Sequence, residues 1–349
     1  MPKIVRYGFI GAGAINQRRH LPEAAANPHS QVVAVCDTKR RRAEEVAGRY
    51  DAPFFTDHRK MIVACKLDAV VVGTPNVDHA PQTIDALKAG LHVLCEKPMA
   101  GSAKEARAMI AAAKKARKHL MIGMNQRLMP PHVKAKEVLA SGKLGKVLAF
   151  ETNFKHGGPD GWSVDGAESW FFKKSKAIMG VNGDLGIHKA DLMRFLLGEE
   201  FAKVGGVVTT LDKKKPGTDR LIAVDDNAYL TLETESGVIG SIHISWTNYG
   251  HLEDNGTVLH CANGVMRIGM DREYGVMVDY QDGTRERYAV GAVATNQKQV
   301  ASGVIDAMTE SILSRRKPTI NGEEGYKALK VILTAIDAAK EGVTKKIRY

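Results

Sequence analysis

The stretch from Ile4 to Asn16, IVRYGFIGAGAIN, decides the fold of the first part of the chain. Its apolar run ends at Ile10 and leads directly into a glycine-rich turn. Gly11 permits a tight turn, and Gly13 removes a side chain where an anionic group would approach the backbone at the start of the next helix. The third position of this fingerprint holds Asn16 instead of glycine or alanine. Strand, turn and helix in this order predict the first unit of a dinucleotide-binding fold.

Similar apolar runs recur through the first third of the chain and alternate with helical patterns. The runs are short and rich in valine, which is typical of parallel strands buried on both faces. They occupy residues 4–10, 31–37, 68–72, 92–96 and 120–124, and helical patterns occupy 39–49, 78–89 and 102–118. Ser102 and Glu105 have the spacing of a capping box at the start of the last helix. The alternation predicts an α/β domain with a doubly wound parallel sheet over residues 1–124.

The pattern changes after Met124. Glycine, asparagine and proline punctuate an irregular stretch over 156–183, and two helices with apolar stripes close the chain. Ile242, Ile244 and Trp246 alternate with polar residues, the period of a half-buried antiparallel strand. Strand candidates lie at 202–211, 225–232, 238–246, 257–261 and 265–269. These features predict a second domain over residues 125–349, of α+β class, with a large and mostly antiparallel sheet.

Composition excludes several classes of protein. Hydrophobic residues make up 44% and charged residues 26% of the 349 residues, which is typical of a globular chain long enough for two domains. No apolar run reaches the roughly 18–20 residues of a membrane helix, and the N-terminus enters a strand without a signal-peptide core. The four cysteines form no CxxC pair and no Cys/His cluster. We therefore expect a cytoplasmic protein without a metal site.

The chain carries a strong positive charge. Lysine and arginine total 50 against 39 acidic residues, a net charge of +11. Such an excess fits nucleic acid, an anionic cofactor or solubility alone. The densest cluster, residues 39–42, contains no interleaved aromatic residue, and aromatic residues make up only 6% of the chain. A stacking surface for nucleic acid is therefore poorly supplied, and we expect no nucleic-acid partner.

An acidic residue ends the second predicted strand. Asp37 lies 26 residues after Gly11, near the spacing at which a carboxylate accepts hydrogen bonds from the adenosine ribose. It would repel a 2′-phosphate, so it favours NAD. Lys39, Arg40 and Arg42 follow closely and leave NADP possible, because guanidinium groups bind phosphate well. Their alternative interpretation is a solvated helix face.

Two further segments carry groups suited to catalysis. Lys97 follows the strand at 92–96 and would project from the carboxyl end of the parallel sheet, where such sheets bind ligands. Residues 73–76 and His79 follow the preceding strand in the same way. Asp184, His188 and Asp191 occupy positions i, i+4 and i+7, so in a helix they would share one face, and the acids would favour the charged imidazole. The alternatives are a surface lysine, an Asp184 N-cap and a buried structural histidine.

The chain resembles the glucose–fructose oxidoreductase, inositol dehydrogenase and rhizopine-catabolism (GFO/IDH/MocA) family over nearly its full length. The resemblance is carried by GFIGAGAIN, by EKP at 96–98 and by DLGIHKAD at 184–191, together with TPNVDH at 74–79 and NQR at 125–127. Residues 179–183 depart from the triple glycine that is usual before the Asp-x-Gly-x-His run. The resemblance implies an N-terminal Rossmann domain and a C-terminal domain with an open-faced sheet, through which members form homodimers or homotetramers.

The same resemblance assigns roles to residues. It places Lys97, Asp184 and His188 at the catalytic positions, and in the family the bond before the equivalent of Pro98 is often cis. The cofactor-binding residues that we predict are Gly11, Ala12, Gly13, Ala14, Ile15, Asp37, Thr74, Pro75, Asn76, His79, Glu96 and Lys97. The substrate-binding residues that we predict are Lys97, Arg127, His156, Trp162, Asp184, His188 and Tyr249.

The function predicted from these residues is an NAD(P)-dependent sugar or polyol dehydrogenase. His188 would take the hydroxyl proton as general base, Lys97 would stabilise the developing alkoxide, and Asp184 would hold the histidine or a neighbouring hydroxyl. Two alternatives stay open. One is an NAD-dependent glycosidase or lyase that oxidises its sugar transiently, and the other is a non-catalytic dinucleotide sensor.

Overall fold

The first part of the chain forms a parallel sheet in a computed structural model that describes residues 4–250, 253–293 and 301–349. Six strands pair in the order β3-β2-β1-β4-β5-β6, and every neighbouring pair is parallel. The strands are β1 (Val5–Ile10), β2 (Ser30–Cys36), β3 (Phe54–Phe55), β4 (Ala69–Val72), β5 (His92–Cys95) and β6 (Leu120–Ile122). The predicted doubly wound sheet is confirmed, and β3 is the strand that the sequence pattern missed because it has only two residues.

Helices alternate with these strands. They are α1 (Leu21–Ala26), α2 (Arg40–Gly48), α3 (His58–Ala64), α4 (Asn76–Lys88) and α5 (Ala103–Ala116). All four residues of β4 are buried, which explains its uninterrupted apolar sequence. At the start of α5 the Glu105 N–H donates to Ser102 Oγ at 3.2 Å, and Ser102 Oγ donates to the Glu105 carboxylate at 3.0 Å. The N-terminal capping of α5 by Ser102 is therefore as predicted.

The second part of the chain contains a nine-stranded sheet in the order β14-β13-β12-β11-β7-β10-β9-β8-β15. Only β10 and β7 pair in parallel, so the predicted, mostly antiparallel sheet is confirmed. The strands are β7 (Val147–Lys155), β8 (Phe201–Thr209), β9 (Asn227–Thr234), β10 (Ile239–Ser245), β11 (Thr257–Cys261), β12 (Gly264–Ile268), β13 (Val276–Tyr280), β14 (Arg285–Tyr288) and β15 (Lys345–Lys346).

The helices of the second part of the chain leave one face of this sheet exposed. They are α6 (Pro130–Ala140), α7 (Lys174–Ala177), α8 (Ile187–Leu197), α9 (Val304–Ser314) and α10 (Gly322–Glu341). The helices α8 and α10 pack together, α10 packs on β8 and α8 on β7. On the opposite face Glu151, Tyr229 and Thr231 are exposed. The sheet is therefore open-faced, as the family resemblance implied.

The C-terminal helices tie the two sheets together. The Tyr7 hydroxyl on β1 lies 2.9 Å from Thr309 Oγ1 on α9, and the Ile122 N–H on β6 donates to the Ile320 carbonyl at 2.9 Å. The boundary at residues 124 and 125 stays a prediction, but α9 packs against β1 of the first sheet and against the neighbouring helix α1. None of the helices in the described ranges is long and apolar enough to cross a membrane.

Candidate active site

A cleft of about 610 Å³ lies where the carboxyl ends of the parallel strands meet residues 162–176 of the second part. The glycine turn after β1, the ends of β2 and β5 and the loop after β4 all contribute to its lining. This is the position at which doubly wound sheets bind ligands. The cleft is thus built by both parts of the chain.

The glycine turn has the geometry of an anion cradle. Gly11 has a φ of +93°, and a Cβ there would lie 2.5 Å from the Gly73 carbonyl oxygen, so both backbone and space require glycine. At Gly13 the nearest protein atom to an added Cβ is 4.0 Å away. The protein's own packing therefore does not demand glycine at 13. The space beside Gly13 is open, as the close approach of an anionic group to the backbone requires.

Asn16 stands at the third glycine position of the fingerprint, and the structure shows how the turn accommodates its side chain. Its side-chain amide donates to the Gly11 carbonyl at 2.5 Å and so ties the turn from inside. A Cβ on Gly73 would lie 2.7 Å from Asn16 Nδ2, so the absent side chain at 73 makes room for the asparagine. A π-helical turn, Asn16–His20, follows and leads into α1. The departure from the usual fingerprint thus preserves the turn.

Asp37 lies at the end of β2 and faces the turn. Its carboxylate accepts from the Ala12 N–H at 2.8 Å and from the Lys39 N–H at 2.8 Å. Asp37 lines the cleft, whereas Ala12 is fully buried and contributes only its backbone. The position fits a carboxylate that receives ribose hydroxyl groups.

Glu96 is a buried carboxylate beside Lys97. It accepts a hydrogen bond from His20 Nε2 at 2.7 Å and another from the Lys97 N–H at 3.1 Å. Burial alone would raise the pKa of Glu96, but the bond from His20 and the cations of Lys97 and Arg19 lower it to about 2. Glu96 therefore stays ionised and adds negative charge behind Lys97.

His79 joins two loops of the cleft. Its Nδ1 lies 2.8 Å from the Pro98 carbonyl oxygen and its Nε2 lies 2.9 Å from the Thr74 carbonyl oxygen. The Lys97–Pro98 bond is cis, as the family resemblance implied. Asn76 donates its amide to the Ala177 carbonyl at 2.8 Å. Thr74, Pro75, Asn76 and His79 all line the cleft.

Lys97 and Asp184 meet at the inner end of the cleft. The Lys97 ammonium lies 2.8 Å from Asp184 Oδ1 and 2.9 Å from the Asp184 carbonyl oxygen. The indole N–H of Trp246 donates to Asp184 Oδ2 at 3.0 Å, and His156 Nε2 lies 3.8 Å from the same oxygen. Two residues predicted to be catalytic are therefore brought together, and Trp246 and His156 surround their carboxylate.

His188 is buried close enough to Lys97 to sense its charge, but it does not itself line the cleft and is not held by the predicted acids. No hydrogen bond from the described residues reaches either nitrogen of its ring. The Asp184 carboxylate is taken up by Lys97 and Trp246, and Asp191 is bonded to Arg127 at 2.7 and 2.6 Å. A π-helical turn, Asn182–Gly186, precedes α8, so the spacing of a regular α-helix does not apply between 184 and 188. The expectation that these acids hold His188 is therefore wrong.

The charge state of His188 is also opposite to the expectation. Burial and the nearby Lys97 cation lower the pKa of His188 well below its ordinary value of 6.5. The imidazole is therefore neutral around neutral pH. A neutral ring has a lone pair to accept a proton, which suits a general base.

Models of known protein families match both parts of the chain. Residues 5–124 match the model of an oxidoreductase family with an NAD-binding Rossmann fold, and residues 132–267 match the GFO/IDH/MocA C-terminal domain. The chain belongs to the GFO/IDH/MocA family. The family resemblance proposed from the sequence motifs is thereby confirmed.

Individual relatives of the family span the whole chain. Inositol 2-dehydrogenase of Rhizobium meliloti is 28% identical over 344 residues, covering 98% of both chains. The crystal structure of an aldose–aldose oxidoreductase from Caulobacter crescentus, complexed with glycerol, has a TM-score of 0.83 at 27% identity and covers 99% of this chain and 100% of its own. A levoglucosan dehydrogenase complexed with NADH and levoglucosan has a TM-score of 0.88 at 23% identity, with coverage of 99% and 100%.

The remaining predicted substrate contacts divide into two groups. Trp162 lines the cleft, and His156 lies behind it next to Asp184. Arg127 and Tyr249 do not line it. Arg127 donates to Asp191 and to Glu324 and so ties α8 to α10, while the Tyr249 hydroxyl donates to Asp212 at 2.5 Å. Arg127 is thus bonded to other side chains and Tyr249 is mainly exposed, and substrate contact by these two residues stays a prediction.

Several residues in or next to the cleft were not predicted from the sequence. Arg18 and Arg19 line the cleft from the π-helical turn, His20 holds Glu96, and Trp246 holds Asp184. The alternating strand pattern marked Trp246 as buried, but nothing in the sequence tied its indole to residue 184. Within the described ranges, no cluster of three or more His, Cys, Asp and Glu side chains could hold a metal ion.

Proposed function

We propose that the protein is an NAD-dependent dehydrogenase that oxidises a secondary hydroxyl of a carbohydrate or cyclic polyol. The observation that carries this proposal is the Lys97–Asp184 ion pair that lines a dinucleotide-sized cleft, with the neutral imidazole of His188 buried behind it and within the influence of the Lys97 charge. The relatives named inositol dehydrogenase and levoglucosan dehydrogenase support a polyol or sugar as substrate.

The residues of the cleft fit the cofactor. The turn at 11–15 and the loop at 74–76 would hold NAD, with Asp37 receiving the adenosine ribose. The open space beside Gly13 is the feature that a pyrophosphate would fill. Bound nicotinamide would accept the hydride, and the chain's own residues would bind the alcohol and move its proton.

Each side chain of the inner site has a role in this reaction. His188 accepts the proton of the substrate hydroxyl while the hydride leaves the same carbon, and the alcohol becomes a ketone. Lys97 donates a hydrogen bond to the oxygen on which negative charge develops. Asp184 holds the Lys97 ammonium, and Trp246 holds Asp184 in turn. Of its two predicted roles, holding the histidine is replaced by holding Lys97, and holding a neighbouring hydroxyl stays a prediction.

His156 is suited to donate a hydrogen bond to the substrate. Its Nδ1 accepts from the Gly158 N–H at 2.9 Å, so a neutral ring carries its proton on Nε2. That nitrogen lies 3.8 Å from Asp184 and has no hydrogen-bond partner among the described residues. Burial lowers the pKa of His156, which keeps the ring neutral. A substrate hydroxyl that reached His156 would give its Nε2 the hydrogen-bond partner that it lacks among the described residues.

A substrate screen tests the proposal. Purified protein with NAD⁺ or NADP⁺ is incubated with inositols, aldoses, anhydrosugars and sugar acids, and absorbance is followed at the reduced-nicotinamide band. We expect reduction of NAD⁺ with at least one alcohol. Cleavage of a glycoside without accumulation of reduced cofactor would point instead to the glycosidase or lyase alternative. Cofactor binding without turnover of any compound would favour the sensor.

A further inference from the structure

A segment from Gly157 to Ala177, which we call the strap, crosses from the second part of the chain over the cleft. At its start, Lys213 Nζ lies 3.0 Å from both carboxylate oxygens of Asp160 and donates to the Gly157 carbonyl at 2.5 Å. At its end, Asn76 holds the Ala177 carbonyl. The strap is therefore fastened at both ends, and its middle lines the cleft.

One strap residue makes ion pairs with the first domain. Asp165 Oδ1 lies 2.8 Å from Lys39 Nζ and 2.6 Å from a terminal nitrogen of Arg42. Burial would raise the pKa of Asp165, but the hydrogen bonds from Lys39 and Arg42 lower it, so the carboxyl is ionised. The side chains of Arg42 and Asp165 are only 21% and 22% exposed, which limits screening by solvent.

The two cations lie where a dinucleotide would present its adenosine ribose. Both come just after Asp37, and all three residues line the same end of the cleft as Asp165. In Rossmann folds the carboxylate that ends this strand binds the 2′-hydroxyl of NAD, and a nearby arginine accommodates the 2′-phosphate of NADP. Lys39 and Arg42 are the cations that could bind such a phosphate. In this structure they are already bound to Asp165.

The charges of this cluster balance. Asp37 and Asp165 carry two negative charges, and Lys39 and Arg42 carry two positive charges. A 2′-phosphate would have to displace Asp165 from both cations and would then lie near two carboxylates. A free 2′-hydroxyl meets neither obstacle, because it can donate to a carboxylate without disturbing the ion pairs.

We propose that Asp165 is a specificity-determining residue that makes the cleft select NAD over NADP. It acts by occupying Lys39 and Arg42, the two cations that would otherwise bind a 2′-phosphate. This inference rests on the proposed function, because it assumes a dinucleotide in the cleft. In a Rossmann fold, residues at the end of β2 determine the preference for NAD or NADP. Asp165 would add a residue from the second domain to this specificity.

Direct binding measurements test the inference without relying on turnover. NAD⁺ and NADP⁺ are titrated by calorimetry into the wild-type protein, Asp165→Asn and Asp165→Ser. We expect the wild type to prefer NAD⁺. In both variants the affinity for NADP⁺ relative to NAD⁺ rises about tenfold or more, as expected when freed cations form charged hydrogen bonds with phosphate.

A change in relative NADP⁺ affinity could come from the freed cations or from a loosened strap, and two further variants distinguish these causes. Asp160→Asn breaks an ion pair of the same strap that touches neither Lys39 nor Arg42, so its affinity ratio stays within about twofold of the wild type, below half a kcal/mol. The triple variant Asp165→Asn/Lys39→Gln/Arg42→Gln removes the cations as well, and the gain in relative NADP⁺ affinity disappears.

The possible failures are distinguishable. A wild type that binds NAD⁺, with a ratio unchanged in both Asp165 variants, overturns the inference and leaves the proposed function intact. A shift of equal size in Asp160→Asn, or a gain that persists in the triple variant, also overturns it. A wild type that binds neither dinucleotide removes both the inference and the proposed function.

Discussion

At the scale of single residues, the active site depends on contacts between distant parts of the chain. Lys97 and Asp184 lie 2.8 Å apart across 87 positions of sequence. Asp184 is in turn held by Trp246. The ammonium group is thus fixed before any substrate is bound, so its stabilisation of an alkoxide needs no rearrangement of the protein.

Replacing Lys97 tests whether its ammonium group stabilises the developing alkoxide. In Lys97→Met we expect kcat to fall by about 10²–10³-fold, because one pre-placed donor to the developing alkoxide is lost. The affinity for NAD⁺, measured by calorimetry, changes much less, since most cofactor contacts lie elsewhere. Lys143→Met is the matched control, because Lys143 is an exposed lysine paired with Glu286. Equal turnover in the two variants would remove Lys97 from the mechanism.

The pH dependence of the rate tests His188. Burial and Lys97 lower its pKa well below 6.5, so the ring loses its proton at lower pH than a free imidazole. We therefore expect kcat/KM to stay level from pH 8 down to 6.5 and to fall only in more acidic solution. In Lys97→Met the fall begins at higher pH, because the cation that opposed protonation is gone. A wild-type inflection above 6.5 would contradict this assignment.

At the scale of elements, the loop that carries Asp184 is held by another carboxylate. Asp225 accepts from the Gly180 N–H at 2.9 Å, from the Asn182 N–H at 2.8 Å and from the Asn182 side chain at 2.9 Å. Its own carbonyl accepts from the Val181 N–H at 2.8 Å. The loop keeps its shape without the triple glycine of the family pattern, and the π-helical turn follows directly.

Removing Asp225 tests this support. In Asp225→Ala three donors lose their charged acceptor, and we expect the free energy of unfolding to fall by about 2–3 kcal/mol. The turnover falls as well, because Asp184 follows the loop directly. Urea denaturation gives the first quantity. The control is Asp219→Ala, whose carboxylate is fully exposed and paired only with Lys214. Equal stability of the two variants would show that the three bonds do not hold the loop.

The elements differ in how far the sequence predicted them. The buried parallel strands were identified because continuous apolar runs of this length have few alternatives. The central strand β7 was missed although its buried residues alternate with Glu151, Asn153 and Lys155, the same period by which β10 was identified. The π-helical turn before α8 could not be predicted, since nothing in the spacing of Asp184 and His188 distinguishes it from an α-helix. The predicted contact between them is absent because the Asp184 carboxylate is bonded to Lys97 and Trp246, which lie far away in the sequence.

At the scale of the whole molecule, the open face of the second sheet exposes several large apolar side chains. Val207, Tyr229 and Ile239 on this face are 61%, 58% and 59% exposed. Tyr229 stacks on His243 with ring centroids 3.6 Å apart. Clustered apolar side chains on an exposed face favour association. A second copy of the chain is the partner that we predict, in line with the resemblance to homodimers and homotetramers.

Light scattering coupled to size exclusion measures this association. We expect the mass of a dimer or tetramer for the wild type and a smaller mass for Tyr229→Glu, because a charge would be buried at the interface. Val63→Glu is the control, since Val63 is 87% exposed on α3 of the first domain. A monomeric wild type, or equal masses for the two variants, would exclude the open face as the interface.

Because Asn16 stands where the fingerprint usually has glycine, this turn cannot be moved into another protein without a second change. The asparagine amide fits only because residue 73, on a different loop, lacks a side chain. A graft of residues 8–16 alone would collide with any larger residue at the position of Gly73. Positions 16 and 73 must therefore be transferred together, and a mutant library that randomises one of them should also randomise the other.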